Sequence, residues 1–279
     1  MNYRIIGDSC TDLTPEMKEE GCFHIVPLTL TVDGVDYRDD ENFDQKAFLA
    51  AAAASSDAPK SSCPSPEDYR KAFGEDDVTA YAVTLSANLS GSYNSAVLGQ
   101  KLVQEDFPNK KVHIFNSCSA SIGQTLIALK IKECADSGAS FEEVVEQVED
   151  FIRHQETMFV LDNLEILRKN GRLSTMKATL VNVLNIRPVM MGTPEGTIEQ
   201  ALVARGTKKA LKKMCEEVGN RVSDFQNRIL GIAHCNCLER ALFVKSEIEK
   251  LYSFKKIIIA DTAGVATMYA NDGGIIISF

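Results

Sequence analysis

Hydroxyl-bearing side chains follow apolar segments at three places in the N-terminal half of the chain. The clearest case is residues 78–85 (VTAYAVTL), an apolar run expected for a buried strand, which leads into a small polar loop with Ser86 and Ser90. From Ser90 onward the spacing of the apolar residues predicts a helix. A helix N-terminus at the carboxyl end of a strand favours a negatively charged ligand group. The alternative interpretation is that Ser90 only caps the helix.

Two other strand-to-helix loops have the same chemistry. Asp8 follows a predicted strand at residues 3–6, and Ser117 and Ser119 follow another at residues 111–115. Strands that alternate with helices predict an α/β fold with a parallel sheet, in which the carboxyl ends of the strands meet at one edge. We therefore expect the three loops to lie side by side as a candidate binding site.

A further pair of hydroxyls, Ser61 and Ser62, lies in a predicted loop at residues 55–64. Directly after this loop, Ser65 and Asp68 flank a first-turn proline and predict a firmly capped helix start. The loop thus ends in a fixed geometry, from which the two hydroxyls can point into a cleft. Serines in loops also commonly satisfy nearby backbone groups, and the sequence leaves both interpretations open.

The composition of the 279-residue chain narrows its functional class. A 44% share of apolar residues supports a packed core, and a formal charge of −9 gives no electrostatic basis for nucleic-acid binding. No apolar run approaches the roughly 20 residues of a membrane span, and the N-terminus has no signal-peptide pattern. The 8 cysteines are spread along the chain without the density of a disulfide scaffold. We expect a cytoplasmic protein with reduced thiols.

The common catalytic signatures are missing from the sequence, which has no G-x-S-x-G elbow, Walker A sequence, G-x-G-x-x-G loop or H-E-x-x-H helix. His113 and His234 fall in predicted strands and are expected to be core histidines. A serine hydrolase would need one of them beside Ser86, Ser90 or Ser119. The HCNC cluster lacks the paired Cys-x-x-Cys units typical of zinc. We therefore expect no catalytic residue, no metal and no cofactor.

The remaining pattern predicts two α/β domains. Residues 24–32 are expected to form one strand that enters a two-residue hairpin turn at Asp-Gly and returns at residues 35–38. A helix is expected at residues 174–184. Because the pattern of strands and helices changes near this point, we predict an N-terminal domain at 1–157, with the serine-rich loops, and a C-terminal domain at 158–279.

Short segments of the chain occur together in one known family. They are GDSCTDL at Asp8, KSSCPSP at Ser61, LSANLSGSYNSA at Ser90, NSCSASIG at Ser119, LRKNGRLS at Arg172, NIRPV at residues 185–189 and ARGTKKAL at residues 204–211. Single segments are weak signals, but so many in the same order are specific. Over about residues 3–279 the chain resembles the DegV family of bacterial fatty-acid-binding proteins, which includes the FakB subunits of fatty acid kinase.

The resemblance implies a function in lipid metabolism. DegV proteins have two α/β domains with a long-chain fatty acid in a tunnel between them, and its carboxylate would be bound here by Ser61 and Ser90. The other positions considered as support for the carboxylate are Ser62, Ser86, Gly91, Ser119, Arg172 and Tyr269. By the same resemblance the protein is a carrier and not an enzyme. It would present bound fatty acid to a separate kinase that makes an acyl phosphate.

At the site the chain departs from the family pattern. Ser61 stands in place of a threonine, Cys63 in place of a glutamine and Ala87 in place of a second serine. Near the C-terminus, Tyr269 stands where the family usually has a histidine before a glycine-proline-glycine turn. A tyrosine hydroxyl donates a hydrogen bond but stays neutral, so we expect head-group recognition to differ.

Alternatives to the carrier remain open at this stage. An enzyme acting on a small phosphorylated or acylated metabolite would use the same serine-rich anion site, and would need a base near Ser90 or Ser119. A DegV-like protein that has lost lipid binding is suggested by Tyr269. The basic cluster around Lys208 and Lys212 either meets an acidic partner or is a solvated helix face. The length and unsaturation of the fatty acid depend on the shape of the tunnel.

Overall fold

The computed structural model describes residues 2–173 and 185–279, and all positions below belong to these ranges. The strands are Tyr3–Asp8 (β1), Phe23–Val26 (β2), Thr29–Val32 (β3), Val35–Arg38 (β4), Lys60–Ser62 (β5), Thr79–Thr84 (β6), Val112–Asn116 (β7), Thr157–Val160 (β8), Ile186–Gly192 (β9), Ile198–Arg205 (β10), Ile229–His234 (β11), Lys256–Asp261 (β12) and Ile275–Ser278 (β13). The α-helices are Pro15–Glu19 (α1), Gln45–Ala54 (α2), Pro66–Phe73 (α3), Ser92–Asp106 (α4), Ile122–Asp136 (α5), Phe141–His154 (α6), Glu165–Lys169 (α7), Thr207–Arg221 (α8), Leu238–Leu251 (α9) and Gly264–Ala270 (α10). The predicted α/β class is confirmed, whereas the predicted helix at 174–184 lies outside the described residues.

The N-terminal half is built on a parallel sheet with the strand order β2-β1-β6-β7. Ile5 and Ile6 of β1 lie on opposite faces, yet both are buried. Ile5 packs with α5 and α6, and Ile6 packs with α3 and α4. Helices therefore cover both faces of the sheet, and this explains why its strands read as continuous apolar runs in the sequence.

The C-terminal half is built on a mixed sheet with the strand order β10-β9-β8-β13-β11-β12. Only β11 and β12 run parallel among these described neighbours, and the other pairs are antiparallel. Helices α8 and α9 cover one face, where Met214 and Val244 join a core with Met158, Ile232 and Ile277. Strand β8 is the first described strand of this sheet, and the predicted division of the chain between 157 and 158 stays a prediction.

Helix α5 connects the two halves. Ile127 and Ile131 pack into the core of the parallel sheet, whereas Ile122 and Leu126 pack against Ala233 of the mixed sheet. Because α5 is covered on both sides, its sequence lacks the alternation of apolar and polar faces that marks a surface helix. The two sheets therefore share one buried helix.

A small antiparallel sheet, β4-β3-β5, corrects two predictions. The single strand expected at residues 24–32 is interrupted at Pro27, so that β2 joins the parallel sheet and β3 turns into the small one. Residues 60–62 of the expected loop form the edge strand β5, which pairs with β3. The hairpin turn is confirmed, with positive φ angles of 49° at Asp33 and 80° at Gly34.

Several helices begin at a side-chain cap, and the cap at Ser65 and Asp68 was predicted. The Thr14 hydroxyl accepts a hydrogen bond from the backbone N–H of Met17, and Ser65 forms a reciprocal capping box with Asp68. Ser140 starts α6 in the same way. Within the described ranges, none of these helices combines the length and apolarity needed to cross a membrane.

Candidate functional site

A cavity of about 110 Å³ lies between the two halves of the protein. Most of its wall is apolar and comes from both halves, through Leu28, Leu85, Leu89, Phe159, Leu161, Leu167, Ile198, Val265 and Ile276. Polar side chains that also line the cavity include Ser61, Ser90, Ser119, Arg172 and Tyr269. Five of the predicted site residues therefore meet at one cavity, which suits a ligand with an apolar body and a polar end.

The three serine-rich loops lie side by side, as predicted, at the carboxyl ends of β1, β6 and β7. The backbone N–H of Ser86 donates to the carbonyl oxygen of Ser119 at 2.9 Å. Asp8 joins all three loops, because its carboxylate accepts hydrogen bonds from the Leu85 N–H at 2.7 Å, the Ser92 hydroxyl at 2.6 Å and the Gln124 amide at 2.9 Å. These contacts fix the positions of the loops that face the cavity.

Asp8 is fully buried, and this has an electrostatic cost. Burial raises the pKa of Asp8, while the hydrogen bonds from Ser92, Gln124, Leu85 and Cys10 act in the opposite direction. A carboxyl group that is satisfied by neighbours on all sides has little capacity left for a ligand. Asp8 therefore belongs to the scaffold of the site.

Ser61 lies in β5 opposite Leu30 of β3, and its hydroxyl faces the C-terminal half. The hydroxyl oxygens of Ser61 and Tyr269 are 3.4 Å apart, and either one can donate. A single contact uses one of the two hydroxyl protons, so the other can donate to a ligand. Ser62, the next residue of the strand, is exposed, with its hydroxyl 3.5 Å from the carbonyl oxygen of Thr29.

Ser90 precedes the helix start instead of forming it. The chain turns between Ser86 and Ser90, and α4 begins at Ser92, two residues later than predicted. The Ser90 hydroxyl oxygen accepts a hydrogen bond from the Ser92 N–H at 3.2 Å. In the described part of the chain, the Ser90 hydroxyl proton has no acceptor, and it can therefore donate to a ligand in the cavity.

Gly91 brings this turn close to the segment that follows β5. A side chain at Gly91 would place its first carbon 3.2 Å from the Cys63 sulfur. The Cys63 thiol also lies 3.7 Å from the Ser95 hydroxyl on the first turn of α4. The lack of a side chain at Gly91 thus lets the strand with Ser61 approach the turn with Ser90.

Arg172 provides a positive charge at the cavity. Its guanidinium donates to two backbone carbonyl oxygens, from Nε to Leu89 at 3.1 Å and from Nη1 to Asn170 at 2.6 Å. The guanidinium carbon lies 5.9 Å from the centre of the Tyr269 ring. Within the described ranges no carboxylate pairs with Arg172, so its charge has no counter-ion from the protein there.

Two predicted supporting serines already have partners. The buried Ser86 hydroxyl donates to the carbonyl oxygen of Gly196 at 2.6 Å and so connects the two halves of the protein. The Ser119 hydroxyl lies 2.7 Å from the Thr157 hydroxyl. The Ser86 hydroxyl proton is therefore not available to a ligand, and Ser86 stabilises the turn that precedes Ser90.

Two buried carboxylates and the helix that they hold could not be predicted from the local sequence. Asp12 accepts a hydrogen bond from the Ala263 N–H at 2.7 Å, and Asp39 accepts from Gly264 at 2.6 Å and Val265 at 2.8 Å. Burial raises the pKa of Asp12 to about 8 and that of Asp39 to about 6. The GDSCTDL segment indicated that the loop with Asp12 belongs to the site, but no local pattern in the sequence indicates which distant residues the two carboxylates contact.

Helix α10 escaped prediction because six of its seven residues are buried, which removes the periodic pattern of a surface helix. Val265, Ala266, Tyr269 and Ala270 of this helix line the cavity. Tyr269 thus belongs to a short helix that is enclosed on nearly all sides. Its position depends on the elements that hold α10.

The geometry offers no general base to the serines. In the described residues the hydroxyls of Ser90 and Ser119 contact the Ser92 N–H and the Thr157 hydroxyl, and neither group is a base. His113 lies beside Glu149 at 3.4 Å, and the buried His234 lies beside Asp261 at 3.4 Å. A base near Ser90 or Ser119, which the enzyme alternative requires, is therefore not found among the described residues.

The 8 cysteines are unpaired, and the described residues contain no group of side chains arranged to hold a metal ion.

The basic cluster lies on α8. The Lys208 ammonium lies 5.5 Å from the centre of the Phe243 ring, and Lys212 pairs with Glu247 at 3.4 Å. Both lysines are exposed and also contact α9, and the choice between an acidic partner and a solvated helix face stays a prediction.

Comparisons with known proteins agree with this architecture. Residues 2–279 match the model of a family described as uncharacterised proteins of the DegV family. A DegV domain-containing protein of Streptococcus pyogenes serotype M18 is 34% identical over 282 residues, which cover 100% of this chain and 99% of the relative.

Two solved structures are closely similar. A DegV family protein of Ruminococcus gnavus, described with vaccenic acid, has a TM-score of 0.97 and 49% identity, with 100% of both chains covered. The fatty acid kinase (Fak) B3 protein of Streptococcus pneumoniae, loaded with linoleic acid, has a TM-score of 0.92 and 33% identity, with 100% of this chain and 99% of that chain covered. The matches extend over essentially the whole chain, and the protein therefore belongs to the DegV family.

Proposed function

We propose that the protein binds one long-chain fatty acid, with its carboxylate on Ser61 and Ser90 and its tail in the apolar part of the cavity. The observation that carries this proposal is an excess of hydrogen-bond donors at one part of an otherwise apolar cavity. The Ser90 hydroxyl proton has no acceptor among the described residues, Ser61 and Tyr269 have one further proton between them, and Arg172 adds a positive charge. A carboxylate has only acceptors and a negative charge, so it complements this set.

The helix start next to Ser90 adds to this complementarity. The first N–H groups of α4 face the loop side of the parallel sheet, and the helix dipole places a partial positive charge there. Gly91 contributes by letting the segment after β5 approach this end, because a side chain there would place its first carbon 3.2 Å from the Cys63 sulfur. Ser86, Gly91 and Ser119 thus support the site by their positions, and Arg172 and Tyr269 support it by charge and hydrogen bonding.

The tail supplies most of the binding free energy. Each methylene transferred from water into the cavity contributes about 0.8 kcal/mol, from which the cost of ordering the ligand must be subtracted. The side chains of both halves that line the cavity are mainly leucine, isoleucine, valine and phenylalanine. The tail thus determines affinity, and the hydroxyl groups determine orientation.

As a carrier, the protein would present the bound carboxylate to a separate fatty acid kinase that forms an acyl phosphate. The B3 relative is named as a fatty acid kinase protein, which supports this role. The site itself has donors for a carboxylate but no base beside Ser90 or Ser119 in the described residues. We place this step in the cytoplasm, since unpaired cysteines suit a reducing compartment.

Mass spectrometry tests the binding proposal. The purified protein is measured under native conditions and after organic extraction, as the wild type and as the double variant Ser61→Ala, Ser90→Ala. We expect one fatty acid per wild-type chain and depletion in the double variant. Ser62→Ala is the matched control, because it removes an exposed hydroxyl from the same strand. An empty wild type that also takes up no added fatty acid would contradict the proposal.

Turnover separates the carrier from an enzyme. We expect acyl phosphate from fatty acid and ATP only when a fatty acid kinase is added to the loaded protein. The isolated chain is incubated with the same substrates, and with phosphorylated and acylated small molecules, as a comparison. Hydrolysis or transfer by the isolated chain that is lost in Ser90→Ala would favour the enzyme.

A further inference from the structure

The start of α10 is capped by a residue that lies more than 200 positions earlier in the chain. Ala263, which precedes the helix, has no side-chain cap to offer. The two carboxylate oxygens of Asp39 instead accept hydrogen bonds from successive backbone groups, Oδ1 from the Gly264 N–H at 2.6 Å and Oδ2 from the Val265 N–H at 2.8 Å. The N-terminal half therefore supplies the cap for a helix of the C-terminal half.

The lack of a side chain at Gly264 makes this contact possible. A side chain at this position would place its first carbon 2.6 Å from Asp39 Oδ1 and 3.0 Å from the Phe43 ring. The carboxylate can therefore approach the helix only because the residue is glycine. Asp39 is buried with 3% of its surface exposed, so the contact is shielded from competing water.

The same helix carries the tyrosine of the binding site. Tyr269 lies five residues after Gly264, at the other end of α10, and its hydroxyl is 3.4 Å from Ser61 on β5. The helix has only seven residues and six of them are buried, so a displacement at its start moves the tyrosine as well. A loss of the contact at Asp39 would change the distance between Tyr269 and Ser61, although Asp39 is not among the residues that line the cavity in the described ranges.

We propose that Asp39 is a positioning residue for head-group recognition, because its carboxylate holds α10 where Tyr269 and Ser61 together meet the fatty acid carboxylate. This inference rests on the proposed function. It predicts that loss of the Asp39 contact weakens the binding of a charged head group more than the binding of the tail. A residue that only stabilises the fold would weaken both to the same degree.

The test compares two ligands of equal chain length, hexadecanoic acid and hexadecan-1-ol, at pH 8. Their affinities are measured for the wild type and for Asp39→Asn, in which an amide nitrogen replaces one acceptor oxygen. We expect the affinity for the acid to fall about tenfold, as for loss of a hydrogen bond to a charged group, and that for the alcohol to change less than twofold. Asp40→Asn is the matched control, because Asp40 pairs with Arg38 and does not contact α10.

Gly264→Ala tests the same contact from the helix side, and remains informative if Asp39→Asn does not fold. The added methyl group would push the carboxylate away, so we expect the same selective loss of acid binding. The double variant should bind no more weakly than the weaker of the single variants, because both changes break one contact.

The outcomes separate this inference from the proposed function. A wild type that binds neither ligand would overturn both. A wild type that binds both ligands, with Asp39→Asn and Gly264→Ala either unchanged or weakened equally for acid and alcohol, would overturn only the positioning role. A selective loss of acid binding in either single variant, without a change in Asp40→Asn, would establish it.

Discussion

Ser61 and Tyr269 lie 208 residues apart in the sequence, and their hydroxyl oxygens approach to 3.4 Å at the cavity. Ser61 belongs to an edge strand of the small antiparallel sheet, and Tyr269 belongs to a short buried helix. Neither element alone forms a site. The two hydroxyls meet only when the two halves of the protein are packed together, so the distance between them depends on how the halves are positioned.

Removal of the Tyr269 hydroxyl should weaken fatty acid binding. Tyr269→Phe keeps the ring in its place above Arg172 but deletes one donor, and we expect about a tenfold loss of affinity, as for a hydrogen bond to a charged group. Displacement of a fluorescent fatty acid measures this effect. Tyr3→Phe is the control, because the Tyr3 hydroxyl donates to Asp136 on the surface. Equal affinities of wild type and Tyr269→Phe would exclude the hydroxyl from head-group binding.

Arg172 should act through its charge. Arg172→Met retains an apolar side chain of similar length but removes the guanidinium, which has no carboxylate partner in the described residues. We expect a loss of affinity for a fatty acid of about tenfold, no loss for an alcohol of the same length, and a weaker dependence on salt than in the wild type. Arg168→Met, four residues earlier in the chain, removes an exposed arginine that pairs with Glu165 and should have no effect. A salt dependence that persists in Arg172→Met would assign the charge effect to another residue.

Several elements could be predicted from the sequence because their signals are local. The apolar run before Ser86, the capping residue Ser65 and the Asp-Gly turn each act on their immediate neighbours, and all were found where expected. The position of the three loops side by side could also be predicted, since parallel strands bring their carboxyl ends to one edge of the sheet.

Other features depend on distant partners and were missed for that reason. β5 is a strand only because β3 lies beside it, and its own sequence, KSS, has low strand propensity. Helix α10 is capped by Asp39, so its start carries no local signal. The resemblance to the DegV family pointed to Ser61, Ser90 and Tyr269, whereas the roles of Asp39 and Ser86 emerged from their contacts.

Ser86→Ala should lower the stability of the protein more than its affinity for ligand. The Ser86 hydroxyl is buried and donates to the carbonyl oxygen of Gly196 at 2.6 Å, so the variant leaves a buried acceptor unsatisfied. We expect the free energy of unfolding to fall by about 1–3 kcal/mol, measured by urea denaturation. Ser62→Ala, at an exposed position, should stay within about 0.5 kcal/mol of the wild type. A larger effect on fatty acid affinity than on stability would instead make Ser86 a ligand-binding residue.

Asp12 should make the stability of the protein fall as the pH rises. Burial raises the pKa of Asp12 to about 8, above its usual value of 3.8, so the folded protein holds a proton that the unfolded chain releases. The contribution of this group is fully present below pH 3.8 and is lost as the pH rises towards 8, by roughly 1 kcal/mol per pH unit. In Asp12→Asn the amide oxygen can still accept from the Ala263 N–H, and the amide nitrogen can donate to the Ser121 hydroxyl, which itself donates to Asp12 in the wild type.

The difference in unfolding free energy between Asp12→Asn and the wild type isolates this effect, because the other titrating groups largely cancel. Measured in urea between pH 5 and pH 8, the variant should gain stability relative to the wild type with each pH unit. Glu16→Gln is a suitable control, since Glu16 lies exposed on α1 and hydrogen bonds from its own backbone N–H and from the Thr14 hydroxyl lower its pKa. A difference that stays constant with pH would show that Asp12 is already ionised in the folded protein, with the Ser121 hydroxyl and the Ala263 N–H stabilising its charge.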